Sequence, residues 1–128
     1  MDESTAALSA AERAAVRELV ESRRERTADQ IADLSRAFDD IVDAARSTAT
    51  DDEHDPEGST IAFERSQVAT LLRQARDQLA ELDHALDRLA DGTFGRCESC
   101  GRAIPMERLT ARPSTTTCVA CAGRGRRR

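Results

Sequence analysis

The chain contains four cysteines, and all of them fall in its last quarter, at Cys97, Cys100, Cys118 and Cys121. Each pair has the form Cys-x2-Cys, and 17 residues separate the pairs. Two intervening residues form a tight turn that aims both sulfurs at one point, with backbone N–H groups facing the thiolates. Two such turns at this separation read as one tetrahedral zinc site. All four ligands are thiolates, so no position is left for water, and the zinc is structural and not catalytic. Gly101, directly after Cys100, suits the first turn. The energetics point the same way. About thirty residues with few large apolar side chains bury too little surface to fold alone. Zinc binding contributes about 10–16 kcal/mol in small metal-dependent modules, which is enough. The alternative is a redox pair that releases its metal on oxidation.

The rest of the 128-residue chain is shaped by what it lacks. It has no Trp or Tyr and only three Phe, while 34% of its residues are charged. Such a composition suits long solvated helices better than a conventional globular core. Ser9-Ala10-Ala11-Glu12 reads as a capping box that opens a helix. Val16, Val20, Thr27, Ile31, Leu34, Phe38, Ile41 and Ala45 then form a stripe, spaced 4-3-4-3-4 from Thr27 onward, with Arg23 and Arg24 intruding near it. This predicts a helix over about 10–47. Thr48 to Gly58 breaks the pattern with Pro56, Gly58 and five acids between Asp51 and Glu57. A second helix is predicted from Ser59 or Thr60, with its seam at Ile61, Arg65, Val68, Leu72, Ala75, Leu79, Leu82, Leu86 and Leu89. Asp91-Gly92 ends it, with Gly92 just past the last turn.

The predicted fold is mainly α: a long antiparallel coiled-coil helical hairpin followed by a small C-terminal four-cysteine zinc finger. Its segments are the hairpin at 1–91 with an acidic tip at 48–58, the finger at 92–123 and a basic tail at 124–128. A compact helical bundle is the less favoured arrangement, because only two long helices are available. The two glycines and missing apolar stripe in the run from Ala122 to Arg128 argue against a helix there.

The net charge of −5 conceals an asymmetry. Residues 1–96 hold 22 acids against 12 arginines, and residues 97–128 hold 7 arginines against 2 acids. The acidic excess argues against a general nucleic-acid coat and fits a partner with a basic surface or channel. The acidic N-terminus has no apolar run behind it, and no stretch reaches the ~18–20 apolar residues of a membrane span. A cytoplasmic location is expected, where paired cysteines more often hold metal than disulfides.

The run Gly92-Thr93-Phe94-Gly95-Arg96-Cys97-Glu98-Ser99-Cys100-Gly101 resembles the zinc finger of the DksA/TraR family. So do Ile104, the segment Arg108-Leu109-Thr110-Ala111-Arg112-Pro113, and Cys118-Val119-Ala120-Cys121. The preceding hairpin is similar in architecture. The resemblance implies a transcription regulator that binds bacterial RNA polymerase and inserts its coiled-coil tip through the secondary channel to modulate initiation. On that reading Asp51, Asp52, Asp55 and Glu57 form the partner-binding tip. Of the family's tip pattern, Asp-x-x-Asp-x-Ala, only the first acid is kept, as Asp55; Gly58 and Thr60 occupy the other two places. Of the basic positions linked to the alarmone ppGpp, Arg112 is kept, while Glu81 and Ala122 replace the others, so ppGpp binding is not predicted. Arg112, Arg124, Arg126, Arg127 and Arg128 are candidate contacts to nucleic acid or an acidic polymerase surface. The alternative function is a zinc-containing DNA-binding or redox-sensing protein using that Arg-rich end. A third reading has the tip acids hold a polymerase metal and promote transcript cleavage. No nucleophile–base arrangement is visible, so the chain is not expected to be an enzyme.

Overall fold

The computed structural model describes residues 8–48 and 56–126. Helix α1 spans Ala10–Thr48 and is opened by the expected capping box. Ser9 N–H donates to Glu12 Oε1 at 2.9 Å, and Glu12 N–H donates to Ser9 Oγ at 3.0 Å. Helix α2 spans Pro56–Asp91. It begins about three residues earlier than the sequence pattern suggests, which shortens the connection between the helices. Pro56 is the reason: at the first helical position its missing N–H has no partner to lose, and its fixed φ is already helical. Gly58 is carried inside the first turn despite its poor propensity. Asp51, Asp52 and Asp55 lie outside the described residues, and so does the side chain of Glu57.

Helix α2 ends as expected. Gly92 has φ +83°, and Thr93 N–H reaches back to the Arg88 carbonyl at 3.0 Å. The Asp91 carboxylate accepts from Thr93 N–H at 3.0 Å and from Thr93 Oγ1 at 2.6 Å. This pair of bonds holds the Asp91 carboxyl below the usual carboxylate range, the hydroxyl contributing more than the backbone.

The chain folds as two units. One comprises residues 1–24 and 80–128, the other residues 25–79. In the first unit the two helices pack together through Val16, Val20, Leu82, Ala85 and Leu89, and the finger adds Phe94, Cys97, Ile104, Leu109 and Cys121 to the same core. Val20 and Leu109 are wholly buried. Each such side chain stabilises the unit by roughly 2 kcal/mol. The predicted seam places Leu86 at the centre. Instead Ala85 is buried and Leu86 packs at the margin. The finger covers a second face of α2, so the buried arc is wider than a two-helix seam requires. Arg24, which interrupts the stripe, pairs with Asp83.

The second unit is a two-helix seam without that extra cover. Among its described residues, Thr27, Leu72 and Ala75 are the buried side chains. Ile31, Leu34, Phe38 and Ile41 are half-buried, and the seam position Arg65 is exposed. On α2 of this unit Phe63 and Leu71 are 62% and 47% exposed and line a shallow groove with Ser66, Gln67, Thr70 and Gln74.

Residues 95–104 form a tight hairpin around the first cysteine pair, closed by Cys97 N–H to the Arg102 carbonyl at 2.8 Å and Ile104 N–H to the Gly95 carbonyl at 2.7 Å. Helix α3 spans Met106–Ala111 and buries Leu109. Helix α4 spans Val119–Arg126 and carries the last cysteine in its first turn. The expectation of a non-helical run after Ala122 is therefore corrected. The second cysteine turn starts the helix, as Ala122 N–H donates to the Cys118 carbonyl at 2.9 Å, and this anchorage outweighs the cost of Gly123 and Gly125. No described helix is long and apolar enough to cross a membrane.

Candidate metal centre

The four sulfurs are brought together by two different local structures. Cys97 and Cys100 sit on the hairpin turn, where Gly101 has φ +79° and its N–H donates to the Cys97 carbonyl at 2.9 Å. Cys118 precedes α4 and Cys121 lies within it. Glu98 N–H donates to the Thr116 carbonyl at 2.8 Å, tying one turn to the other. Arg108 Nε donates to the Thr117 carbonyl at 3.0 Å and fixes the approach to Cys118.

All four Sγ atoms lie within 4.8 Å of one another, and none is in a disulfide. The Cys100 and Cys118 sulfurs are 3.9 Å apart. Zinc–sulfur bonds of about 2.3 Å in a tetrahedron place sulfurs about 3.8 Å apart. The donor set and its spacing thus fit one zinc ion, held by four protein ligands with no position open to water. Cys97 and Cys121 are buried, whereas Cys100 is exposed. Burial raises the Cys97 thiol, but N–H groups of Cys118, Cys100 and Ser99 outweigh it and bring it down to about 6. The Cys118 thiol is also lowered, chiefly by the Cys121 N–H. Cys121 is pushed up to about 12, first by burial and then by its sulfur neighbours. A bound zinc ion would supply the charge that keeps all four as thiolates.

Around the sulfurs stand residues that the spacing of the cysteines does not reveal. Arg88, buried on the last turn of α2, donates to the Thr93 carbonyl at 2.7 Å and to the Arg96 carbonyl at 2.6 Å. Its Nε lies 3.7 Å from Glu98 Oε2. His84, to which the sequence assigned no role, has Nε2 2.7 Å from the same oxygen. The His84 bond is the main cause that holds the Glu98 carboxyl below its usual range. One helical turn beyond Cys121, Arg124 Nη2 donates to Cys121 Sγ at 3.1 Å. That contact is legible as an i, i+3 relation only once residues 119–126 are known to be helical.

The positions linked to ppGpp by resemblance are gathered at one place. Glu81, Arg112 and Ala122 line a single cleft of about 600 Å³ with His84, Arg108 and a row of hydroxyl residues from Ser114 to Thr117. Arg108 is engaged with the Thr117 carbonyl, and Glu81 brings an acid to the rim. Arg126 lies on α4, and Arg127 and Arg128 lie outside the described residues.

Residues 92–124 match the prokaryotic dksA/traR C4-type zinc finger. The chain is 38% identical over 66 residues to uncharacterized protein YteA of Bacillus subtilis, an alignment covering 52% of this chain and 28% of that protein. It is 42% identical over 53 residues to the RNA polymerase-binding transcription factor DksA of Caulobacter vibrioides, covering 41% of this chain and 37% of that one. The alignments thus span about a third of these relatives' own length. Among solved structures, transcription factor DksA2 from Pseudomonas aeruginosa superposes with a TM-score of 0.76 at 24% identity, covering 92% of this chain and 85% of that one. That likeness establishes the fold, an antiparallel helical hairpin with a four-cysteine module at its C-terminal end. Residues 92–124 thus carry the sequence pattern of the prokaryotic dksA/traR C4-type zinc finger.

Proposed function

We propose that the protein is a non-enzymatic, cytoplasmic regulator that binds bacterial RNA polymerase and modulates initiation by inserting its coiled-coil tip through the secondary channel. The observation that carries this reading is the pairing of a DksA/TraR-type finger with a hairpin fold that matches DksA2 over 92% of the chain. Either feature alone has many uses. The finger segment is shared with a relative named as an RNA polymerase-binding transcription factor, DksA of Caulobacter vibrioides, and the hairpin fold with a solved transcription factor, DksA2.

In this reading each part has a separate task. Zinc held by Cys97, Cys100, Cys118 and Cys121 fixes the finger and does no chemistry. Arg88 and the His84–Glu98 bond hold the finger to the last turns of α2. Asp51, Asp52, Asp55 and Glu57 present an acidic tip to the basic, metal-dependent centre of the polymerase, where carboxylates interact by charge and by hydrogen bonding. Arg112, Arg126, Arg127 and Arg128 supply a basic counterpart that contacts an acidic polymerase surface. ppGpp is not part of the reading, because Glu81 and Ala122 stand where the resemblance would place basic residues.

The test is co-elution with core polymerase and the lifetime of promoter complexes in vitro, for the wild type and Asp55→Ala. The reading expects a stable complex with both proteins and an altered promoter-complex lifetime with the wild type only. Absence of both binding and any change in transcription sinks it.

A further inference from the structure

We propose that Arg124 is a positioning residue of the metal centre: its guanidinium holds the Cys121 sulfur in the ligand set, offsets the charge of the zinc–thiolate cluster and slows the escape of the metal. The observation is the Arg124 Nη2 to Cys121 Sγ hydrogen bond at 3.1 Å. The contact is made within α4, where residues three apart lie on one face, so it is set by the helix itself. It also gives that short, glycine-containing helix a reason to form.

The chemistry follows from charge. Four thiolates around one Zn²⁺ carry a net charge of about −2. Two of the sulfurs, Cys97 and Cys121, are buried, at 3% and 6% exposure. Excess negative charge at a partly dry site is costly, and it makes each thiolate a better target for protons and electrophiles. A donor on the sulfur draws off that charge. Arginine suits the task, because its guanidinium stays protonated and presents planar N–H groups, whereas a lysine offers a strongly hydrated point charge. Outer partners of metal ligands typically change metal affinity by 10–100-fold when removed.

The proposal separates Arg124 from the other arginines at the end of the chain. Sequence reasoning places it with Arg126, Arg127 and Arg128 as a contact to a partner. The structure turns Arg124 back onto the finger's own sulfur.

The test uses the zinc-loaded full-length chain and does not depend on any polymerase assay. Zinc release is followed with excess chromogenic chelator, and separately after addition of N-ethylmaleimide, for wild type, Arg124→Gln, Arg124→Lys and Arg126→Gln. The expectation is release about tenfold faster in Arg124→Gln, an intermediate rate in Arg124→Lys, and a wild-type rate in Arg126→Gln. Unchanged far-ultraviolet circular dichroism with zinc in excess shows that the variants are folded at the start. Arg124→Gln releasing zinc at the wild-type rate overturns the proposal. So does Arg126→Gln accelerating release equally, since the effect then belongs to net charge and not to the sulfur contact.

Discussion

The same two helices are stabilised differently in the chain's two units. In residues 1–24 and 80–128 they share a core with the finger, and Val16, Val20, Leu82 and Leu109 are at most 1% exposed. In residues 25–79 the seam is thin, with Leu72 at 9% among its most buried side chains and Phe63 left 62% exposed. One heptad pattern therefore has two outcomes, and what differs is whether a third element covers the helices. The comparison teaches that the periodicity sets which side chains face inward, while the metal-held finger sets how deeply they are buried.

Removing zinc tests that contrast most severely. Stripping the metal with a strong chelator at neutral pH should cost the finger the whole of its binding free energy, about 10 kcal/mol or more. Hydrogen exchange reads the result. Amides of Cys97, Ile104 and Leu109 should lose protection by several orders of magnitude, while those of Leu72 and Ala75 keep theirs. If both sets are lost together, the two units are not separately stabilised and the comparison fails.

Core truncations sharpen the same contrast on a smaller scale. Leu82→Ala, in the covered unit, should destabilise by about 3 kcal/mol, because it removes a side chain only 1% exposed and leaves a cavity. Leu34→Ala, half-buried in the thin seam, should cost about 1 kcal/mol, since solvent already reaches part of the site. Chemical denaturation of the zinc-loaded chain measures both, and equal costs would contradict the difference in burial.

Arg88 shows why part of this was legible in the sequence and part was not. The cysteine spacing fixed the ligands, and apolar periodicity fixed the two helices and the inward side of each. Arg88 carries no such signal. It is one arginine among many, and its burial follows from the finger folding back over α2, a long-range event that no local pattern encodes. His84 and Glu98 were hidden for the same reason, being fourteen residues apart and joined only by that packing. The start of α2 and the helical end of the chain depend on local context: Pro56 interrupts the apolar pattern yet serves as a first helical residue, and Gly123 and Gly125 disfavour a helix except where the cysteine turn anchors it. Arg88→Ala should cost about 2–3 kcal/mol, since it leaves the Thr93 and Arg96 carbonyls without their charged donor. Thermal unfolding with zinc in excess checks it, and a cost near zero would remove Arg88 from the account of why the first unit is the better packed.

The smallest expected effect lies at the exit from α2, where Asp91 accepts from the Thr93 hydroxyl and N–H. Those bonds favour the ionised form and hold its carboxyl below the usual range. A group with a lowered folded-state value contributes stability that is fully present above its unfolded value. That contribution is lost as pH falls through the ordinary carboxylate range near about 4 and below it. Asp91→Asn should therefore lower the melting temperature slightly at pH 7, by an amount that stays constant down to about pH 5.5. The gap from wild type should begin to close near about pH 4 and vanish only below the lowered folded-state value, where the wild-type carboxylate is itself protonated. A gap that widens as pH falls would show that Asp91 favours the folded chain in its protonated form, and the helix end would then need a different account.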